Sequence, residues 1–137
     1  MNYYYIIIIA IVIIVAVASG VYFFYKKPKV SYIKSGSTNP EIEIYFFFTD
    51  WCPHCKTAKP EWEHVKTTYD GTKMGNYTVK FIDVNCTKDS AEIQKLTSTY
   101  KIEGYPTVKL VKDNEVIEYD AKPERSALIN FLESSTV

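Results

Sequence analysis

The chain has 137 residues, which is enough for one domain and a short additional segment. Its 16 basic and 16 acidic side chains cancel, and without a basic stripe the sequence has no electrostatic footprint for binding nucleic acid. Its three cysteines are too few for a small fold held together by disulfides. They suit one functional pair and one additional thiol.

The N-terminal stretch from Ile6 to Tyr25 contains no charged residue and has an almost purely aliphatic core. A run of about 20 apolar residues crosses a bilayer as a helix, and aromatic residues flank both ends, as they do at membrane interfaces. The alternative is a cleaved signal peptide with Ala16–Ala18 as its cleavage site. We favour an uncleaved anchor over residues 1–25, because no Lys or Arg precedes the segment and apolar residues continue beyond Ala18.

Two features of the sequence disagree about the side of the membrane on which the remaining chain lies. Lys26, Lys27 and Lys29 follow the apolar stretch, so the positive-inside rule favours the cytoplasmic side for the C-terminal domain. Asn76 and Asn85 each begin an N-glycosylation sequon, which is used only in a secretory lumen, so the lumenal alternative stays open. Ile, Tyr, Lys and Asn are abundant, as in low-GC genes such as those of many large DNA viruses. For a viral gene the membrane would be that of the virion.

A linker is predicted over residues 26–40, since Ser35 to Pro40 is rich in turn-forming residues. The folded domain is predicted over residues 41–137 and begins with a strand, Ile42–Phe48, that is apolar on both alternations and therefore covered on both faces. The next elements are a helix from about His54 to Tyr69, which contains a proline, and a strand from Thr78 to Val84.

The remaining predicted elements are a helix, two strands that form a hairpin, and a last helix. In chain order they are Ser90–Tyr100, with Asp89 or Ser90 as its N-cap, Val108–Val111, Val116–Tyr119, and a helix that begins near Pro123. Asp113-Asn114 suits the hairpin turn. This order predicts an α/β fold with a mixed central sheet and helices on both faces, in which the first crossovers are parallel and the last pair antiparallel.

Cys52 and Cys55 are separated by two residues and lie where the first strand meets the first helix, which predicts a redox pair. A cysteine at a helix N-terminus faces unpaired backbone N–H groups and the positive end of the helix dipole. Both favour the thiolate, and the pKa in such sites falls to roughly 3.5–7.5. A protonated His54 would add to the effect; the alternative for His54 is a solvated helix-start residue.

Three motifs follow one another along the chain: Trp51-Cys52-x-x-Cys55-Lys56, Pro60-Glu61-Trp62 and Tyr100-x-Ile102-x-Gly104-Tyr105-Pro106-Thr107. In these motifs, over roughly Glu41 to Leu132, the sequence resembles the thioredoxin superfamily, closest to the catalytic domains of protein disulfide isomerases. The resemblance implies a thioredoxin fold after a single N-terminal transmembrane helix.

The resemblance also implies roles for individual residues. Cys52 would be the exposed nucleophile, Cys55 the buried resolving thiol, and Pro106 a cis-proline beside them. The substrate groove would be bordered by Trp51, Gly104, Tyr105 and Pro106.

The dipeptide between the cysteines, Pro53-His54, is expected to tune the pKa of Cys52. Oxidising periplasmic relatives carry this pair, whereas reducing thioredoxins usually carry Gly-Pro. Because a stabilised thiolate makes the disulfide more oxidising, we expect a centre more oxidising than that of thioredoxin.

The sequence departs from the family at a position that concerns proton transfer. Thioredoxins and disulfide isomerases carry a buried acid six residues before the first cysteine, and Phe46 occupies that position here. Glu43 lies on the opposite strand face, so Asp83 on the neighbouring strand is the candidate replacement. The alternative for Asp83 is an ordinary acid at a strand end.

Cys86 is expected to be a free structural cysteine, with a third redox thiol as the alternative. A zinc site formed by Cys52, His54, Cys55 and Cys86 is disfavoured because the second ligand pair of such sites is missing, so no metal is expected. His64 is expected at the surface.

The expected function is that of a membrane-anchored thiol–disulfide oxidoreductase for protein disulfides and dithiols. No organic cofactor is expected, since the Cys52–Cys55 disulfide itself carries the electrons. The expected partners are protein substrates and a redox partner that recycles the pair. The alternatives are a non-catalytic thioredoxin-fold binding module at a membrane and a glutathione-dependent, glutaredoxin-like enzyme.

Overall fold

The computed structural model describes residues 3–25 and 40–136, with side chains for residues 3–19 and 40–136. The chain divides into two units, Met1–Ser31 and Tyr32–Val137. Residues 26–39 of the predicted linker, and with them Lys26, Lys27 and Lys29, lie outside the described residues. The boundaries predicted at residues 25 and 40 stay predictions.

The first unit contains the helix α1 (Tyr3–Tyr25). Its described side chains, from Tyr3 to Ser19, are exposed. Over the part of the chain that the structure describes, no helix combines the length and apolar character needed to cross a membrane.

The second unit is an α/β domain built on a mixed sheet, as predicted, with five strands rather than the four predicted, because a short strand, Lys73–Met74, was missed. Its elements are β1 (Glu41–Phe48), α2 (Pro53–Tyr69), β2 (Lys73–Met74), β3 (Tyr77–Asn85), α3 (Ala91–Thr99), β4 (Thr107–Lys112), β5 (Glu115–Glu118) and α4 (Arg125–Thr136). The strands are ordered β2-β3-β1-β4-β5 across the sheet. Strand β1 therefore lies in the middle, parallel to β3 and antiparallel to β4.

Strand β1 is buried on both faces, which confirms the reading of its continuous apolar run. Ile44 and Phe46 pack in one cluster with side chains of α2 and α4. Tyr45 and Phe47 pack in a second cluster with side chains of α3. With period-two alternation, each face of the strand receives its own apolar layer. The segment that follows Phe48 and leads to the two cysteines therefore leaves from the middle of the sheet.

The prediction that the first crossovers are parallel is correct for β1–α2–β3 and wrong for β3–α3–β4. Strand β4 begins at Thr107, opposite Phe47, and runs antiparallel to β1. Residues 86–106, which include α3, connect the two strands. This connection leaves the start of β4 at the end of the sheet where β3 finishes, since Phe47 pairs with both Val84 and Thr107.

The helix starts and the hairpin turn lie at or close to the residues predicted from the neighbouring sequence. Ser90, rather than Asp89, caps α3, with its Oγ accepting a hydrogen bond from the backbone N–H of Ile93 at 3.2 Å. The hairpin turn falls at Asp113 and Asn114, whose φ angles are 51° and 66°. Asn and Asp tolerate that left-handed region better than most residues. Helix α4 begins at Arg125, two residues after the predicted Pro123.

Candidate redox site

Cys52 is the N-cap of α2, with φ −78° and ψ 119°, and Pro53 follows as the first helical residue. Proline suits that position because its missing N–H would have no helical partner in any case. The backbone N–H of Cys55 donates to Cys52 Sγ over 3.4 Å. The helix start thus directs its unpaired N–H groups at one sulfur atom.

This arrangement lowers the pKa of Cys52 below the ordinary value of a thiol. Burial by itself would raise the pKa, but hydrogen bonds from the Cys55 thiol and from the backbone N–H groups of Cys55 and His54 outweigh it. The thiolate is the nucleophilic form of cysteine. A lowered pKa is what a nucleophilic cysteine requires, and the role of Cys52 as the nucleophile stays a prediction.

Cys55 lies on the first turn of α2 and faces inward with Ala58, Trp62 and Val65. Burial raises the pKa of the Cys55 thiol to about 11, with a further contribution from the neighbouring Cys52 and an opposing one from Thr49. The two thiols of one helix turn therefore differ in pKa, and Cys52 ionises at a lower pH than Cys55. That difference is what a nucleophile and a resolving thiol require.

Cys52 is less accessible than the resemblance implied. Only 5% of the residue is exposed, against 2% for Cys55, so the expectation of an exposed nucleophile is wrong for the residue as a whole. The Cys52 thiol donates to the backbone carbonyl of Tyr105 over 3.5 Å, and both residues pack against the same apolar cluster. The loop before β4 therefore contacts the cysteine.

Three of the four predicted groove residues lie around the start of α2. The Tyr105–Pro106 peptide bond is cis, which confirms the prediction for Pro106. The Trp51 side chain is 67% exposed and meets the Tyr105 ring edge-on, with 6.4 Å between ring centroids. An open cleft of about 560 Å³ begins at His54, Tyr105 and Pro106. Gly104 lies instead on a neighbouring depression of about 330 Å³, which it shares with Pro106.

The position of the expected buried acid is filled by Phe46, which is fully buried and stacks on Trp62 with 5.0 Å between ring centroids. Asp83 is its partner in the register of β1 and β3. The Asp83 carboxylate accepts a hydrogen bond from Trp62 Nε1 at 2.6 Å and pairs with the Lys66 ammonium. Its contacts thus hold it to the middle of α2, and its part in proton transfer stays a prediction.

Thr49 was missed by the reading of the sequence. It directly follows β1, is 1% exposed, and lines a cavity of about 200 Å³ together with Cys55. Its hydroxyl oxygen is buried without a hydrogen-bond partner among the described residues. The signal was a single hydroxyl residue that ends a continuous apolar run three positions before Cys52.

The remaining predicted residues are Cys86 and His64. Cys86 is a free, partly buried thiol that donates to the Val84 carbonyl over 3.6 Å, and burial raises its pKa. His64 is exposed on α2, as predicted. Among the described residues, no group of His, Cys, Asp and Glu side chains has the geometry to hold a metal ion.

The chain resembles known proteins over most of its length. The family model described as Thioredoxin matches residues 31–134. Protein disulfide-isomerase A6 of Mus musculus is 34% identical over 101 residues, which cover 73% of this chain and 22% of that protein. Protein disulfide-isomerase A3 of Gallus gallus is 36% identical over 76 residues, which cover 56% of this chain and 13% of that protein. The chain thus matches about a fifth or less of the length of these curated relatives.

A solved structure also resembles the second unit. The first thioredoxin domain of mouse protein disulfide-isomerase A4 superposes with a TM-score of 0.55 and 24% sequence identity, covering 71% of this chain and 64% of that chain. At this identity the likeness concerns the fold.

Proposed function

We propose that this chain, which belongs to the thioredoxin family, is a thiol–disulfide oxidoreductase that acts on protein disulfides and dithiols through Cys52 and Cys55. The observation that carries the proposal is the unequal pair of thiols on one helix turn, with the pKa of Cys52 lowered and that of Cys55 raised. Reduction of insulin disulfides by the full chain in detergent, with dithiothreitol as the reductant, tests it. Turnover above the rate of dithiothreitol alone is expected.

The proposed reaction proceeds in two exchanges. The Cys52 thiolate attacks one sulfur of a substrate disulfide, and the other substrate sulfur leaves as a thiolate. Cys55 then loses its proton and attacks Cys52 Sγ, which forms the Cys52–Cys55 disulfide and releases the second substrate sulfur. Two electrons pass from the cysteine pair to the substrate. The same steps in reverse oxidise a substrate dithiol.

The surroundings of Cys52 suit a polypeptide substrate. The exposed Trp51 ring offers an apolar surface beside the thiol, and the cleft at His54 and Pro106 continues away from it. A protein segment that carries a disulfide would rest on this surface while its sulfur meets Cys52. The partners in the proposal are therefore protein substrates and a redox protein that recycles the pair.

We also propose that the pair is more oxidising than that of thioredoxin. The support is the lowered pKa of Cys52, because stabilising the thiolate stabilises the reduced pair and makes the disulfide the stronger oxidant. A reduction potential clearly above the value of about −270 mV for thioredoxin is expected after equilibration with glutathione buffers. A potential near that value contradicts the proposal.

Replacing His54 with alanine is expected to make the reduction potential more negative. His54 follows Cys52 by two positions at the helix start, where positive charge would stabilise the thiolate, so its loss is expected to weaken the oxidant. His64→Ala is the matched control, since His64 is the other histidine of the chain and is exposed farther along α2. Equal reduction potentials for the two variants would mean that the helix start alone, without the His54 side chain, sets the potential of the cysteine pair.

Anchoring to a membrane is a further part of the proposal. Its support is the uncharged stretch from Ile6 to Tyr25, which lies within α1, and the exposure of the aliphatic side chains described on that helix. The three lysines after the stretch favour the cytoplasmic side for the thioredoxin domain.

Treatment of membranes with an N-glycosidase tests the proposed side. Asn76 lies exposed in the turn between β2 and β3, whereas the Asn85 amide donates to the Asp50 carboxylate at 3.2 Å. On the cytoplasmic side neither sequon is modified, so we expect no change in electrophoretic mobility when the chain is expressed in eukaryotic cells. A shift that disappears in an Asn76→Gln variant would contradict the cytoplasmic placement and locate the domain in the lumen.

A further inference from the structure

The hydroxyl of Thr49 stands out because it is the one buried side-chain polar atom without a hydrogen-bond partner among the described residues. Buried hydroxyl groups are nearly always paired, and an unpaired one requires an explanation. An apolar side chain would fill the same space at the end of β1 without that cost. A nearby group that becomes negatively charged would give this hydroxyl the partner that it lacks in the dithiol form.

The surroundings of Thr49 indicate which state that is. Thr49 and Cys55 line one cavity of about 200 Å³, together with Phe48, Asp50, Lys56 and Lys59. Burial raises the pKa of Cys55, and the Cys52 thiol raises it further, whereas the backbone N–H and the hydroxyl of Thr49 act to lower it. The Thr49 side chain is thus directed at the sulfur that has to ionise in the second exchange.

The charges around the cavity act in the same direction. Lys59 Nζ lies 4.6 Å from the centroid of the Phe48 ring, and Lys56 contributes a second cation to the lining. The one acid of the lining, Asp50, accepts hydrogen bonds from the Asn85 amide at 3.2 Å. Positive charge beside a thiolate stabilises it. The cavity also gives water a route toward a thiol that is otherwise closed off.

We propose that the Thr49 hydroxyl stabilises the Cys55 thiolate in this chain. Phe46, which occupies the position of the expected acid, has no polar group that could assist Cys55. Building on the proposed function, the step begins with Cys52 bound to the substrate as a mixed disulfide. The Cys55 proton passes to water in the cavity, and the Thr49 hydroxyl donates a hydrogen bond to the thiolate that remains. The thiolate attacks Cys52 Sγ, the Cys52–Cys55 bond forms, and the substrate sulfur leaves with the electron pair of the broken bond.

Thr49→Val tests the inference, because valine keeps the branched shape and removes only the hydroxyl. We expect the pKa of Cys55, followed by the chemical shift of its ¹³Cβ in the dithiol form, to rise by about one unit, which lowers the thiolate fraction about tenfold. A thiolate of higher pKa is also more nucleophilic, so the release of substrate from the mixed disulfide slows by only about threefold. Thr49→Ser restores the hydroxyl and with it both values.

The control measurements separate this role from a structural one. Since the hydroxyl is unpaired in the dithiol form, Thr49→Val is expected to leave the urea midpoint of unfolding unchanged or to raise it. A Cys55 pKa and a release rate equal to the wild type in Thr49→Val, or a failure of Thr49→Ser to restore them, overturns the inference. The proposed function fails separately, if the wild-type chain forms no mixed disulfide with a protein substrate. The pKa comparison decides the role of Thr49 in either case.

Discussion

Replacing Cys52 with serine abolishes turnover of a protein disulfide, with an expected loss of about a thousandfold or more, the scale seen when a catalytic nucleophile is removed. A serine hydroxyl is not ionised at neutral pH and cannot form a disulfide. The hydrogen bonds at the start of α2 lower the pKa of the Cys52 thiol, but they do not turn a serine hydroxyl into a nucleophile for a disulfide. Insulin reduction at neutral pH measures the effect.

Cys86→Ser is the matched control for this prediction. Cys86 is the third cysteine of the chain, and its partly buried thiol donates a hydrogen bond to the Val84 carbonyl. We expect the variant to keep turnover within about twofold of the wild type, as for a residue outside the reacting atoms. Retained turnover in Cys52→Ser, or an equal loss in Cys86→Ser, would contradict the assignment of the nucleophile.

Replacing Trp62 with alanine is expected to lower the free energy of unfolding by about 3–5 kcal/mol, the usual cost of emptying a large buried aromatic site. Trp62 is fully buried, stacks on Phe46 and contacts Phe81 at 4.8 Å between ring centroids. Its Nε1–H donates to the Asp83 carboxylate, which loses a partner in the variant. Urea unfolding followed by circular dichroism measures the change.

Trp51→Ala is the matched control, since Trp51 is the only other tryptophan of the chain and is 67% exposed. Its removal is expected to change the free energy of unfolding by no more than about 0.5 kcal/mol. Turnover of a protein disulfide falls nevertheless, because the substrate loses an apolar surface beside Cys52. A loss in Trp62→Ala as small as the one expected for Trp51→Ala would mean that the packing around Trp62 does not hold α2 on the sheet.

The parts of the fold that sequence reasoning predicted are those specified by local patterns. The apolar run of β1, the capping Ser90 and the Asp113-Asn114 turn each carry their own signal in neighbouring residues. The cysteine pair was equally readable, because its spacing at a strand-to-helix junction is a local property. The cis bond at Pro106 followed from the resemblance rather than from the pattern.

The errors arose where the outcome depends on distant parts of the chain. The direction of β4 depends on the path of the connection over residues 86–106, which no local pattern of the sequence specifies. The burial of Cys52 depends on Tyr105, more than fifty positions away, whose carbonyl accepts its thiol proton. Thr49 became a candidate only when its hydroxyl was found beside Cys55 without a partner. Whether a buried hydroxyl has a hydrogen-bond partner can be determined only from the folded structure.

The most direct test of the account is the covalent adduct that forms between a Cys55→Ser variant and a protein disulfide. With the resolving thiol removed, the first exchange proceeds and the second cannot, so the substrate is expected to remain attached. Peptide mapping by mass spectrometry under non-reducing conditions identifies the linked cysteine. The account predicts an adduct through Cys52 that a dithiol releases. Absence of an adduct, or a linkage through Cys86, would contradict it.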